Sequence, residues 1–290
     1  MQVVINILSD FVLYIIIAFG FSMCYSILGF FHMAHALSLT YGAYLVFTCS
    51  ILFTFPLWLS IVLSIAFVIV IMVLVNSGVY QPNVKRGIEG WKLMIVSLGV
   101  YVVFQNIVSL IWGDSTLTFR TWPVMSGHSI MGGVITDVQI ITITVSALLL
   151  LTVWWLLEKT NIGMSLKATA SNAALSSIFG VRREAVATFS IAVGSALMTC
   201  AGILIAADID MTPTMGFDWL MYGVVAMIIG GMGKMRYMIF GAFLLAAAQQ
   251  LSAYFFDSKW MNATAYIILV IFLYFRPFGF SGKKLKKTGV

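Results

Sequence analysis

Two histidines three residues apart, His32 and His35, are the densest pair of chemically versatile side chains in the sequence. Such a pair is half of a four-ligand metal site, but no nearby Cys, Asp or Glu completes one, so no metal site is expected. A neutral imidazole donates and accepts hydrogen bonds without a fixed charge, which suits a polar group beside a route through an apolar layer. The competing reading of His35 is a buried side chain satisfied by packing. Four amides pose the same choice. Gln105, Asn106, Gln249 and Gln250 lie inside long apolar runs, where a polar group is costly unless it bonds between helices or lines a pathway. Gly230-Gly231-Met232-Gly233-Lys234 invites a phosphate-loop reading and fails it. Ile228 stands where the first glycine is required, and Met235 where Ser or Thr must follow the lysine. No Gly-x-Ser-x-Gly within a span and no His-Glu-x-x-His is present, so neither a catalytic set nor a cofactor site is expected.

The elements that must position these residues are membrane helices. Of the 290 residues, 61% are hydrophobic and 9% charged, with a mean hydropathy of +1.05; a soluble domain carries roughly a quarter charged residues. Apolar runs long enough to span recur throughout, whereas a barrel needs alternating segments of about ten residues. The expected fold is all-α: a polytopic helical bundle forming one domain over 1–290. Nine segments are expected, at about 11–31, 36–53, 57–75, 92–112, 138–157, 185–207, 217–232, 236–256 and 262–277. The seventh and eighth nearly touch and have a re-entrant hairpin as their alternative. Fourteen of the sixteen Lys and Arg residues fall in alternate gaps, against Arg120 and Lys259 in the others. That asymmetry puts the N-terminus outside and the C-terminus in the cytoplasm, and an odd number of crossings agrees with it. It also explains the net charge of +6 without nucleic acid, for which no motif is present. Cys24, Cys49 and Cys200 sit unpaired within apolar runs and are expected to pack as small hydrophobes. Residues 1–10 are expected to precede an uncleaved first segment. Ser190, Gly194 and Gly202, and likewise Ala242 and Ala246, put small residues on single helical faces where neighbours can approach closely.

The gap from Glu158 to Glu184 is far longer than a connection between spans needs. Leu166, Ala170, Ala173, Ala174 and Ile178 recur at helical spacing, and Leu175 and Phe179 widen the stripe. One amphipathic helix is expected there, preceded by Gly163 and ended by Gly180 in a left-handed turn. It is too short to span a bilayer and lies on the side assigned to the cytoplasm. It therefore offers an apolar face to a soluble partner.

Four local patterns, in order, resemble the branched-chain amino-acid ABC transporter permeases of the LivH type. Phe31-His32-Met33-Ala34-His35, followed by Gly42-Ala43-Tyr44, is similar to that family's Asn-Phe-Ala-His-Gly-Glu…Gly-Ala-Tyr motif. Gly163-Met164-Ser165-Leu166-Lys167-Ala168-Thr169-Ala170…Gly180-Val181 resembles its Gly-x-x-Leu-Arg-Ala-x-Ala…Gly-Ile loop. Gly230-Gly231-Met232-Gly233 is similar to its glycine-rich turn, and Phe275-Arg276-Pro277-Phe278-Gly279 to its Phe-Arg-Pro-x-Gly ending. The chain departs from the family at Ala36-Leu37, in place of Gly-Glu, and at Arg236-Tyr237, in place of Pro-Gly. The first departure removes a pathway carboxylate and bears on the substrate, since the broader family also serves urea and short amides. The resemblance implies a permease subunit in a bacterial or archaeal inner membrane, itself not an enzyme. Its implied partners are a second homologous permease, two cytoplasmic ATPases and an external solute-binding protein. It puts His35 and Gly42 at motif positions; with the four amides read from their apolar surroundings, Gln105, Asn106, Gln249 and Gln250, they are the pathway candidates. Its loop motif covers Gly163, Leu166, Lys167, Ala170 and Gly180, which with Leu175 of the apolar stripe form the expected ATPase-coupling set. An ion-coupled secondary transporter is the rival class; it would need intramembrane charges, and these are nearly absent from the expected span centres.

Overall fold

The structure, a computed structural model, describes residues 1–121, 127–130, 132–231, 235–276 and 279–280. Helices carry the fold. They are α1 (Gln2–Leu28), α2 (Ala36–Phe47), α3 (Leu57–Val75), α4 (Gln81–Lys85), α5 (Gly90–Trp112), α6 (Asp137–Lys159), α7 (Asn161–Ser171), α8 (Ala173–Ile178), α9 (Arg183–Ile209), α10 (Met215–Gly230), α11 (Met235–Phe255) and α12 (Trp260–Phe275). A 3-10 turn at Met33–His35 leads into α2, and π turns at Thr48–Leu52 and Asn76–Tyr80 follow α2 and α3. The gap that holds Arg120, between the fourth and fifth expected segments, contains a short antiparallel pair of strands, β1 (His128–Ile130) and β2 (Gly133–Ile135), so a small β element joins the expected all-α fold.

Among the described residues, seven helical stretches are long and apolar enough to cross a membrane. The expected segments at about 217–232 and 262–277 correspond to α10 and α12. Each is 16 residues long, about 24 Å at 1.5 Å per residue, short of a hydrocarbon layer about 30 Å thick. Two other boundaries differ from expectation. The first helix begins at Gln2 instead of about residue 11, because Val3, Val4, Ile5, Ile7 and Leu8 continue the apolar run and Asp10 finds a partner in Gln250 (Oδ2 to Nε2, 2.6 Å). It ends at Leu28, with Gly29 at φ 77° donating its N–H to Tyr25 O. The third continues past Val75 through the π turn to Lys85, because Pro82 falls in the first turn of α4, where its missing N–H costs nothing.

The core lies where α1, α2, α9, α10 and α11 meet. Small residues set those distances, as expected for α9. A Cβ on Gly202 would collide with backbone atoms of Leu39, and one on Gly42 would come within 2.8 Å of Thr199 Cγ2. Ser190, Ala242 and Ala246 are fully buried. Helices α5 and α6 are mostly exposed along their apolar lengths, which leaves those faces to lipid or to another chain.

Contacts group the gaps into two ends. Lys85 pairs with Glu184 (3.0 Å), which joins the gap after the third segment to the end of the 158–184 loop. Phe280 N–H donates to Ile229 O (2.9 Å) beside Gly231. At the opposite end, Gln2 accepts from Val134 N–H (2.8 Å). There Arg120 pairs with Asp210 and donates to Asp208 O (3.2 Å), while Leu117 and Met211 exchange backbone hydrogen bonds. Asp208 and Asp210 thus anchor a folded loop.

Candidate functional site

The 158–184 region differs from the single amphipathic helix expected. Thr160 ends α6 and caps α7, its hydroxyl oxygen accepting from Gly163 N–H (3.1 Å). Gly163 therefore lies inside the first turn of α7, and a Cβ there would strike the Leu156 and Leu157 backbone of α6. The helix breaks at Asn172, whose side chain accepts from Leu175 N–H (3.0 Å) and starts α8. An Asn side chain that caps a new helix competes with continuation of the old one, and here it wins. Gly180 ends α8 at φ +84°, as its sequence position predicted.

The break divides the stripe. Leu166 is buried against the chain's own bundle, whereas Ala170 and Ala174 are exposed. Lys167 pairs with Glu158 (2.7 Å) at the surface, a contact worth about 0–1 kcal/mol. Leu175, Ile178 and Phe179 stand out from the bundle, 50%, 79% and 79% exposed. Three large apolar side chains thus cluster on one short helix and its end, tethered by α7.

The six pathway candidates fall in three places. His35 is completely buried where α1, α2 and α9 meet, its Nε2 3.8 Å from Cys24 Sγ. A Cβ on Gly194 would come within 3.0 Å of that nitrogen. His32 packs edge-on against His35 and Tyr80, with ring centroids 5.4 and 4.7 Å apart. Among the described residues, neither nitrogen of His32 nor Nδ1 of His35 has a hydrogen-bond partner. No group of three or more potential metal ligands occurs among those residues. Gly42 lies at the α2–α9 seam, its carbonyl accepting from Ser64 Oγ (2.8 Å).

Gln105 and Asn106 lie on α5, Gln105 half-buried at the edge of its packed face. Asn106 is exposed and donates to Val102 O of its own helix (2.7 Å). Two links tie this helix to the histidine turn: Tyr41 Oη donates to Phe104 O (3.0 Å), and Met33 N–H donates to Ser97 Oγ (3.1 Å). Gln249 and Gln250 are on α11. Gln249 is buried and donates to Met261 O (3.1 Å); Gln250 reaches Asp10 on α1. Both amides make interhelical bonds, the alternative weighed against a pathway role. His35, Gly42 and α5 adjoin one another, while the two glutamines belong to a separate seam. Of the glycine-rich turn, Met232, Gly233 and Lys234 lie outside the described residues, as do Pro277 and Phe278 of the C-terminal motif.

Asp10 escaped the sequence reading because the first span was begun after it. The signal was the apolar run from Val3 to Leu8. Asn76 and Tyr80, both fully buried, were missed because the third span was ended at residue 75.

A family model described as branched-chain amino acid transport system / permease component matches residues 3–275. The chain is 24% identical to the high-affinity branched-chain amino acid transport system permease protein BraD of Pseudomonas aeruginosa, over 98% of this chain and 96% of that one. It is 25% identical to the LivH permease protein of Escherichia coli K12, covering 93% of this chain and 91% of the other. A probable LivH permease protein of Methanocaldococcus jannaschii is 26% identical over 95% and 91% of the two chains. In fold, the chain is similar to a solved structure, PsaBC from Streptococcus pneumoniae in complex with Fab, with a TM-score of 0.54 at 14% identity over 100% of this chain and 96% of that one. With a family match over almost its whole length and a helical bundle to agree with it, the chain belongs to the family of branched-chain amino acid transport system permease components.

Proposed function

We propose that this chain is the membrane-spanning permease subunit of an ABC importer for branched-chain amino acids in a bacterial or archaeal cytoplasmic membrane. The observation that carries the reading is the exposed apolar cluster Leu175, Ile178 and Phe179 on a helix of six residues between two spans. A cytoplasmic ATPase is the proposed occupant of that face, one for each of two permease subunits, with an external binding protein delivering the solute. Closure of the ATPases on ATP would push α7–α8. Because α7 packs on α9 and α1, the push would tilt those helices and alternate the access of the pathway.

The proposed pathway runs along α5 where two permeases meet. An amide such as Asn106 is costly against lipid, and the exposed apolar neighbours Val102, Val103 and Leu110 give a second subunit a face to cover. His35 and Gly42 form the packed wall behind α5. The neutral, partly apolar solute suits a route with few charges. Urea or short amides are the alternative cargo, motivated by Ala36-Leu37. An ion-coupled carrier is the alternative class, favoured by Asp10 within α1.

Reconstitution of the permease with its cognate ATPases and binding protein tests all three. ATP-dependent uptake of leucine, isoleucine and valine is expected, with urea and acetamide carried at least tenfold more slowly. Uptake driven by an ion gradient with this chain alone would overturn the reading.

The orientation is tested separately. On a background without reactive cysteines, an impermeant thiol reagent is expected to modify a cysteine at Ser115 in intact cells. A cysteine at Ser171 should react only after the membrane is opened. Both positions are exposed; labelling of Ser171 from outside would reverse the topology and remove the ATPase from the α8 face.

A further inference from the structure

A cavity of about 160 Å³ opens at the end of the bundle that carries the 158–184 loop, between α1, the Asn76–Tyr80 π turn with α4, and the start of α9. Ile27, Leu28, Val84 and Ala187 give it an apolar wall, and Lys85, Arg183 and Glu184 line it as well. We propose that this cavity is a second solute site, facing the coupling side, that binds a free amino acid with a branched apolar side chain.

Size and charge both point to that ligand. A cavity of about 150 Å³ holds a molecule the size of benzene, so a branched aliphatic side chain fits against the apolar wall. The charged residues then meet the head group. Lys85 and Glu184 pair at 3.0 Å but are 62% and 58% exposed, a weak contact that a ligand can open. Arg183 makes no ion pair among the described residues. A carboxylate on Arg183 and Lys85, with an ammonium on Glu184, satisfies each sign with its opposite. A simple anion would leave Glu184 repelling it, and a simple cation would face two positive side chains.

The interior of the cavity is also unfinished without a guest. Asn76 and Tyr80 are fully buried and line it. Asn76 donates to Thr188 Oγ1 (3.2 Å), to which Gln81 also donates (3.0 Å). Yet among the described residues Asn76 Oδ1 and the Tyr80 hydroxyl have no hydrogen-bond partner. Buried polar atoms without partners are destabilising and uncommon, and single π turns recur at functional sites.

The choice of amino acid rests on the proposed transport function; the zwitterion rests on the cavity itself. Equilibrium binding of tritiated L-leucine to the permease–ATPase complex in lipid nanodiscs, without binding protein or ATP, tests it. Saturable binding is expected, weakened at least tenfold by Arg183→Gln and by Ala187→Phe, which fills the cavity. Arg183 is a surface residue, so its variant keeps the test valid if Ala187→Phe fails to fold. Binding that is absent, or indifferent to Arg183→Gln, overturns the assignment. So does a site that takes phosphoethanolamine in preference to leucine, which would mark a lipid-headgroup site. Loss of ATP-driven leucine uptake would overturn the transport reading, and the binding assay, run without ATP, would remain informative.

Discussion

Replacing Leu175 by Asp is expected to abolish transport while leaving the permease inserted and folded. Leu175 is half-exposed, at the start of α8, beside Ile178 and Phe179, so the folded chain alone tolerates a charge there. A docked ATPase does not. A carboxylate enclosed in an apolar contact without a partner costs about 3–5 kcal/mol, and 1.4 kcal/mol is a tenfold change in affinity. Docking should weaken by at least a hundredfold. The measurements are copurification of the ATPase, solute-stimulated ATP hydrolysis and uptake, all expected to fall together, with the amount of membrane-inserted permease unchanged. Phe179→Asp should act likewise. Lys167→Ala should change little, since its Glu158 pair is half-exposed. Normal coupling in both apolar-to-acid variants would remove the ATPase from this face.

The second large effect is structural. Gly202→Val is expected to prevent α2 and α9 from closing, because any Cβ at 202 meets the Leu39 backbone. A backbone cannot swing aside as a side chain does, so a helix must shift. Overpacking costs typically about 1–3 kcal/mol and occasionally more, and a collision with backbone belongs at the upper end. Thermal unfolding of the detergent-purified protein should begin well below wild type, with loss of the monodisperse peak on size exclusion. Gly99→Ala is the control: its Cβ would meet nothing within 4 Å. Equal damage from both would mean that glycine as such, and not the α2–α9 approach, matters.

Much of this protein was legible in its residues because the bilayer reduces the choices. Runs of apolar residues with no water to satisfy the backbone must be helical, and the alternation of Lys and Arg sorts their connections. The small-residue faces of α9 and α11 were legible for the same reason, since close approach needs small side chains. Gly180 announced its left-handed turn because few other residues adopt one readily. The family was readable from four short motifs in order, and the match over residues 3–275 agrees with it.

Tertiary structure decided what periodicity cannot. A stripe of apolar residues does not say which members face the chain's own bundle. Burial sends Leu166 inward and leaves Leu175, Ile178 and Phe179 outward, because the Asn172 side chain caps a second helix and turns it from the first. Polar residues in a span were likewise ambiguous, since an amide bonds a neighbouring helix or faces an open surface according to its angle about the axis. Gln249 and Gln250 did the first, and Asn106 the second. Asp10 became an interior carboxylate only because Gln250, 240 residues away in sequence, arrives beside it. The cavity at Asn76 depends in the same way on α9 returning across the third segment. Local sequence determines which residues are compatible with the membrane, and only long-range packing determines which of them meet.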